Sequence, residues 1–444
     1  MTARAHITRR SFTSALSGLG AALLWLSPRA FPGTQDAQQQ SNRMTDATRE
    51  LKAIAVQLLA ILRRHIDSGY TPGAVALVAQ GGRAEVVAVG NQASEGVSPM
   101  RTDSIFRISS MTKPVTAAAA LRLVQDGKLR LHEPIDRWLP ELAKRRVLRQ
   151  IGAELDDTVP AKRAITLEDL LTFRCGLGVV LAPEDTYPIQ RRISELQLVG
   201  FGAPDPASPI GPDEWLRRLG TLPLMAQPGE RWLYNTGSCI LGVLLARVSG
   251  ISLPELLRTR VFEPLGMRDT AFFVPESKLS RLASAYRLEA GRAQLYDAPS
   301  TSAWRAVPAF SDGAAGLLST ADDFLAFSRF VLGRGRVGGR HLLSEAAINA
   351  MTTDYLTPAQ RSDGAPILGP GRGWGFGMSV VAQSAAAGLP QDSYGWNGGL
   401  GTTWLADPQS GRTAVLLTQT MFTSPAAPAV HQEVWRAVFA PAFL

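Results

Sequence analysis

The fold of this chain is decided by a stretch of nine residues that reads Ile105-Phe106-Arg107-Ile108-Ser109-Ser110-Met111-Thr112-Lys113. An apolar run ends here, and the alanine-rich pattern that follows predicts a helix over 112–126. Residues three apart share one face of a helix, so the Lys113 amine can reach the Ser110 hydroxyl. A helix N-terminus also favours negative charge that develops on Ser110. A helix cap followed by a solvated lysine would give the same SxxK pattern, which occurs only once in the chain.

Two further segments contain groups that can take part in catalysis. A loop over 228–237 contains Tyr234, Asn235 and Thr236 directly before a helical pattern. A tyrosine beside a lysine can carry protons, although a lone loop tyrosine is more often a packing residue. Near the other end, a glycine-rich segment over 394–402 includes Trp396-Asn397-Gly398-Gly399. Its glycines let the backbone approach a ligand or another strand closely, and the alternative is a flexible turn.

Hydrophobic periodicity outlines one domain over 49–440. Apolar residues recur every three or four positions over 49–67, which predicts an amphipathic helix. Two strand-like runs joined across Gly81-Gly82 predict a hairpin, and strands at 402–406 and 413–418 precede a second terminal helix at 431–439. The sequence therefore predicts an α+β fold. Its antiparallel sheet is built from both chain ends, about 49–110 and 370–440, and is flanked by N- and C-terminal helices.

A mainly helical region over about 130–310 is predicted to be inserted into this sheet domain. Helical patterns lie at 166–173, 212–219, 238–248 and 253–261, with another at 321–331. Thr320 and Asp323 indicate a capping-box-like start for that last helix. The two cysteines, Cys175 and Cys239, are in no CxxC spacing, so we predict buried free thiols.

The formal net charge of +8 does not indicate nucleic-acid binding. Five arginines and one aspartate lie within the first 43 of the 444 residues, so half of the excess charge is found there. The remainder is spread along the chain, apart from a short basic run at 144–146, and matches no RNP or zinc-finger pattern. A small-molecule substrate is the expected partner.

Residues 1–43 are predicted to be a Tat-type signal and linker. Arg9-Arg10 precede a short apolar stretch over 14–27, which is the order of a Tat export signal, and 33–48 has linker composition. The expected location is the periplasm or the exterior, or the cytoplasm if translation starts at Met44. No later segment reaches eighteen apolar residues, so no membrane span is expected in the mature chain.

Taken together, the three motif segments resemble the serine β-lactamase-like superfamily, which includes class C β-lactamases and family VIII carboxylesterases. GxSxG, HExxH and P-loop patterns are absent. The resemblance implies a β-lactamase/transpeptidase-like fold with Ser110 as the nucleophile. Lys113 and Tyr234 would share the work of base and proton donor, and which of them is the base stays open. The backbone N–H groups of Ser110 and Gly399 would form the oxyanion hole.

Trp396 departs from the superfamily pattern. β-Lactamases and carboxypeptidases of this kind have Lys or His at the corresponding position, where a cation suits a substrate carboxylate. An indole instead offers an apolar wall and one N–H, which favours a neutral acyl substrate and resembles family VIII esterases. Asn397 and Gly398 are expected to bind substrate beside it. Thr236 also departs from the pattern, since many relatives have Asn or Ser there.

These observations predict a serine hydrolase that cleaves short-chain carboxylic esters through an acyl-enzyme on Ser110. No metal or organic cofactor is expected, and no nucleic-acid partner. One alternative is an amide hydrolase of the same fold that acts on β-lactams or D-amino-acid peptides. Nitrocefin turnover would distinguish this alternative from the esterase, as would an arginine, such as Arg372, that replaces the missing cation. A second alternative is a non-catalytic envelope binding module.

Overall fold

The computed structural model describes residues 33–94 and 96–439, with the backbone alone over 33–45. The predicted export signal lies outside the described residues. The chain divides into a unit up to Asp46 and a unit from Ala47 onward. The sheet, the helical residues that pack on it and the candidate site all belong to the second unit.

The helices are distributed along the whole described chain. They are α1 Gly33–Asp67, α2 Thr112–Gln125, α3 Leu167–Leu171, α4 Pro188–Glu195, α5 Pro212–Leu219, α6 Thr236–Ser249, α7 Leu253–Leu257, α8 Glu263–Leu265, α9 Ala321–Leu332, α10 Glu345–Met351, α11 Pro358–Leu368, α12 Ser384–Ala387 and α13 Ala429–Phe439.

The strands also occur along the whole of the second unit. They are β1 Gly73–Gln80, β2 Arg83–Gly90, β3 Phe106–Arg107, β4 Arg146–Leu148, β5 Thr158–Pro160, β6 Ala285–Glu289, β7 Arg292–Asp297, β8 Leu318–Ser319, β9 Arg336–Val337, β10 Arg340–His341, β11 Arg372–Trp374, β12 Ser379–Val381, β13 Tyr394–Gly398, β14 Thr402–Asp407 and β15 Arg412–Thr418.

Both chain ends contribute to one seven-stranded antiparallel sheet. Its order is β11-β12-β13-β14-β15-β1-β2, so the predicted hairpins β1–β2 and β14–β15 lie side by side. Successive side chains of a strand point to opposite faces. Ala76 of β1 therefore joins a core with Leu58 of α1 and Val434 of α13, whereas Leu77 joins the large core that contains Val115 of α2. The predicted α+β fold is confirmed.

The first helix begins earlier than the sequence analysis expected. A linker was predicted over 33–48, but α1 starts at Gly33 and continues to Asp67. Glutamine and alanine are good helix formers, and no proline interrupts residues 33–71. Once the amphipathic part of α1 is nucleated, each added residue extends the helix at little cost.

The helix cap predicted at Thr320 is only half of a capping box. The Thr320 side chain accepts the Asp323 backbone N–H at 3.2 Å, as predicted. The Asp323 carboxylate, however, accepts the Asp269 N–H at 2.7 Å and the Thr270 hydroxyl at 2.8 Å. A long-range partner has replaced the local one, so this carboxylate ties α9 to the inserted region.

The inserted region contains more than helices. The hairpins β4–β5 and β6–β7 interrupt it, and α7 continues as a π-helix over Arg258–Phe262. Strands of three to six residues are too short to show a clear hydrophobic period, which is why the helical prediction missed them. Among the described helices, none alone is long and apolar enough to cross a bilayer. The bent pair Thr236–Ser249 and Leu253–Leu265 meets that criterion by length and composition together.

The segment at 105–113 is fixed between two distant parts of the chain. β3 pairs with β8, and the Ile108 N–H donates to the Leu317 carbonyl at 3.0 Å. The Ile108 carbonyl accepts the Thr402 hydroxyl at 3.1 Å. A Cβ atom added at Gly398 would lie 2.2 Å from both the Ile108 carbonyl oxygen and Thr402 Oγ1. Glycine at this position therefore lets β13 lie directly against the backbone that precedes Ser110.

Replacing Gly398 with alanine should weaken this contact. We expect Gly398→Ala to lower the free energy of unfolding by about 1–3 kcal/mol, because the added methyl group forces the two backbones apart. Gly399→Ala is the matched control, since a Cβ there meets no atom within 4 Å. Urea denaturation of both variants is the measurement. Equal stabilities would show that the close approach at Gly398 does not hold β13 in place.

Candidate active site

Ser110 and Lys113 are in direct contact. Ser110 lies in a single 3-10 turn over Ser109–Met111, and Lys113 is the second residue of α2. Lys113 Nζ lies 2.8 Å from Ser110 Oγ and also donates to the Ala314 carbonyl at 3.0 Å. The lysine is fully buried, whereas Ser110 retains 9% exposure. The amine thus faces a hydroxyl that a substrate can reach.

The turn before Ser110 has an unusual backbone. Ser109 has a φ of 45°, a left-handed conformation that is uncommon for a residue with a side chain. Strained residues of this kind persist only when their surroundings hold them. The hydrogen bonds of Ile108 to Leu317 and Thr402 do so here, and they set the direction in which Ser110 enters α2.

Tyr234 is presented by a strained turn of its own. Asn235 has φ 84° and ψ −62°, and the Thr236 N–H donates to the Tyr234 carbonyl at 3.2 Å, which defines a γ-turn of the rare positive-φ form. The Asn235 amide and the Thr236 hydroxyl both donate to the Gly200 carbonyl at 3.0 Å. Thr236 therefore holds this turn in place, which gives a structural role to the residue that departs from the superfamily pattern.

Trp396 contacts Tyr234 directly. The Trp396 indole N–H donates to Tyr234 Oη at 2.7 Å, and the ring centroids are 5.7 Å apart. Because the phenol oxygen accepts this bond, its own hydrogen is free to donate elsewhere. Lys113 Nζ lies 4.6 Å from the centre of the Tyr234 ring. Three aromatic side chains that sequence reasoning missed support the pair from behind: Phe173, Trp232 and Trp374.

These residues face a cavity of about 380 Å³. Ser110, Tyr234, Trp396, Asn397 and Gly399 all line it, so the structure brings the predicted residues of all three motif segments together. Most of the other lining side chains are apolar, namely Val179, Leu181, Ala203, Pro204, Ala315, Ile367, Leu400, Met421, Phe422 and Pro425. No Asp, Glu, Lys, Arg or His is among the described residues that line it. The cavity suits a small uncharged ligand.

In the third motif segment, some residues line the cavity and one packs against the backbone before Ser110. Asn397 lines the cavity, and its side-chain oxygen accepts the Thr403 hydroxyl at 2.7 Å. Gly399 also lines the cavity, and its carbonyl accepts the Phe422 N–H at 2.9 Å. Gly398, a predicted substrate-binding residue, instead packs against Ile108 and is not among the described lining residues. Its lack of a side chain lets the strand before Gly399 lie against the backbone that precedes Ser110.

The segment that supports Lys113 was not predicted. The Asp312 carboxylate accepts the Ala314 N–H at 2.8 Å and the Cys239 thiol at 3.1 Å, which fixes the carbonyl that Lys113 contacts. Burial and the neighbouring Asp312 raise the pKa of the Cys239 thiol well above its usual value. Cys239 and Cys175 are thus the buried free thiols that were predicted. The run of small residues over 313–316 was the available sequence signal, since a Cβ at Gly313 would lie 2.8 Å from the Ser238 carbonyl.

Arg372 does not replace a cation at Trp396. It lies at the start of β11 and is absent from the described lining of the cavity at Ser110. Such a replacement was one of the two features expected to distinguish an amide hydrolase from an esterase, and nitrocefin turnover is the other. Among the described residues, no three His, Cys, Asp or Glu side chains form a group that could hold a metal ion.

Comparisons with known proteins place the chain in a family. The Beta-lactamase family model matches residues 58–439. Protein Rv1367c of Mycobacterium tuberculosis is 40% identical over 374 residues, which cover 81% of this chain and 88% of that protein. Esterase EstB of Burkholderia gladioli is 32% identical over 400 residues, 85% of this chain and 93% of that protein. The solved structure of EstCE1, a hydrolase with promiscuous acyltransferase activity, is 28% identical with a TM-score of 0.74 and covers 87% of this chain and 98% of that one. The chain therefore belongs to the Beta-lactamase family and is a serine hydrolase of the β-lactamase fold.

Proposed function

We propose that this enzyme hydrolyses short-chain carboxylic esters through an acyl-enzyme on Ser110. The observation that carries the proposal is the 2.8 Å contact between the buried Lys113 amine and Ser110 Oγ at the wall of an uncharged cavity. Such a contact gives a serine hydroxyl the adjacent base that it needs as a nucleophile. The cavity leaves room for a small acyl group beside it.

In the proposed acylation step, Lys113 is the base and Tyr234 the proton donor. The Ser110 hydroxyl proton passes to Lys113 Nζ while Oγ bonds to the ester carbonyl carbon. The carbonyl oxygen becomes negative, and the N–H groups of Ser110 and Gly399 stabilise it, each by about 2.7–4 kcal/mol in comparable sites. The bond to the alkoxy oxygen then breaks, and that oxygen takes the Tyr234 proton. The proton held by Lys113 replaces the one that Tyr234 has lost.

In deacylation the same groups transfer protons in the opposite direction. A water molecule gives one proton to Tyr234 or Lys113 and bonds to the acyl carbon through its oxygen. The bond from the carbon to Ser110 Oγ breaks, and Oγ regains a proton. The carboxylic acid leaves, and the enzyme returns to its starting state. No metal or cofactor is required by these steps.

Three observations support an ester rather than a β-lactam or peptide substrate. Trp396 offers the cavity an apolar face, and its N–H is already bonded to Tyr234. The described lining holds no cation that could pair with the carboxylate of a β-lactam. The relative EstB is named an esterase. Each points to a neutral group at the reacting centre.

Hydrolysis of p-nitrophenyl acetate and butyrate beside nitrocefin tests the proposal. We expect Ser110→Ala to abolish ester turnover, because among the described residues that line the cavity Ser110 has the only hydroxyl that is hydrogen-bonded to Lys113. Ser424→Ala, which removes another hydroxyl that lines the same cavity, should retain it. Dominant nitrocefin turnover by the unmodified protein would favour the amide hydrolase. Absence of Ser110-dependent turnover of either substrate would favour a non-catalytic binding module.

The role of Trp396 can be tested by adding a cation at its position. Trp396→Lys should raise the ratio of nitrocefin to p-nitrophenyl butyrate turnover by about tenfold, the value of one charge-assisted hydrogen bond. Trp396→Phe is the control, because it also loses the indole N–H but adds no charge. The ratios of kcat/KM for the two substrates are compared between these variants. The same ratio in both variants would show that the lack of a cation at position 396 does not set the preference for esters.

A further inference from the structure

A second cavity adjoins the one at Ser110. Its volume is about 580 Å³, and it lies between the end of α11, the start of β11, α12 and α13. The two cavities share Ile367, Asn397 and Pro425 as lining residues. The two cavities therefore lie side by side, and an elongated molecule that lies along these shared residues would contact both.

Arg372 lines this second cavity, and the described part of the chain provides no counter-ion for it. It is only 8% exposed, yet no described residue forms an ion pair or a side-chain hydrogen bond with its guanidinium. Its one recorded partner is the ring of Trp435, with Cζ 4.9 Å from the centroid. Burial lowers the pKa of Arg372 to about 10, so it remains protonated at neutral pH. Arg107, by contrast, is equally buried but is paired with Asp297 and with the Ala283 carbonyl.

The other described residues that line the second cavity add positive charge and no negative charge. Arg436 of α13 also faces the cavity, and no ion pair engages it among the described residues. No Asp or Glu is among the described lining residues, whereas Ile367, Leu368 and Leu389 provide an apolar wall. An arginine without its anion in a low-dielectric site is costly, and a carboxylate satisfies its fork of N–H donors in a bidentate manner.

We propose that this second cavity, which we call the Arg372 cavity, binds the carboxylate of an ester substrate whose ester carbonyl lies at Ser110. The inference rests on the proposed esterase function and narrows its substrate class to esters with a remote carboxylate, such as monoesters of dicarboxylic acids. Ile367 and Pro425 line both cavities and suit the methylene chain between the two polar ends. The reacting centre stays uncharged, because the charge is recognised one cavity away.

Matched pairs of esters give the test. p-Nitrophenyl hydrogen adipate and suberate have a free carboxylate, and their methyl-capped counterparts are the same length without the charge. Arg372→Gln should lower kcat/KM for the anionic esters by about tenfold or more, the value of a charge-assisted hydrogen bond. Turnover of the capped esters should change little. Arg340→Gln, at an exposed arginine of the β9–β10 hairpin, controls for the overall charge of the protein.

A second variant and a binding measurement test the same proposal if Arg372→Gln does not fold or if turnover is too slow to measure. Should Arg372→Gln fail to fold, Arg436→Gln removes an exposed cation of the same cavity and should weaken the same preference. Calorimetric titration of the Ser110→Ala protein with monomethyl adipate and dimethyl adipate reads binding without turnover. Tighter binding of monomethyl adipate, lost when Arg372 is also replaced, supports the proposal even if hydrolysis itself is not observed.

Three outcomes would overturn the proposal. Equal binding of monomethyl and dimethyl adipate would mean that no carboxylate is recognised. An unchanged ratio of anionic to capped ester turnover in folded Arg372→Gln would place the recognition elsewhere. Arg372-dependent binding of free adipate without any effect on that ratio would assign the Arg372 cavity to a separate anion. If the unmodified protein shows no Ser110-dependent turnover of the capped esters, and this is the only failed expectation, the esterase function is contradicted and the carboxylate site is not.

Discussion

The contact between the Lys113 amine and the Ser110 hydroxyl requires several distant segments of the fold to be held in fixed positions. An ammonium or amine without access to water needs polar partners, and here they are Ser110 Oγ and the Ala314 carbonyl. The first requires a strained turn at Ser109, and the second requires the loop fixed by Asp312. The start of α2 is thus held from two sides, and the reactive hydroxyl points to the cavity.

The site is also where the two ends of the chain meet. β13 comes from the C-terminal part of the sheet, and the absence of a side chain at Gly398 lets it lie against Ile108. On the same strand, Trp396 contacts Tyr234, and Gly399 just beyond it lines the cavity at Ser110. The pairing of β13 with β14 in the sheet therefore also completes the cavity wall, because Trp396 and Asn397 of β13 line the cavity.

Local patterns predicted the parts of the molecule that depend on neighbours in sequence. The hairpin at Gly81-Gly82, the amphipathic α1 and the pairing of Ser110 with Lys113 all follow from periods of two or three to four residues. Contacts between distant segments have no such period. The aromatic support of Tyr234 by Phe173 and Trp374, the Asp323 carboxylate that leaves its own cap, and the unpaired Arg372 could be found only from the structure.

Formation of the acyl-enzyme is the most direct measure of whether the contact between Lys113 and Ser110 has a catalytic role. The protein is mixed rapidly with p-nitrophenyl butyrate, quenched, and digested for mass spectrometry of the peptide that contains Ser110. One butyryl group should appear there in the unmodified protein and in Lys128→Met, which alters an exposed lysine just beyond α2. Lys113→Met should acylate at least about 100-fold more slowly, as expected for loss of a general base. A butyryl group on another residue, or acylation of folded Lys113→Met at the unmodified rate, would contradict the assignment.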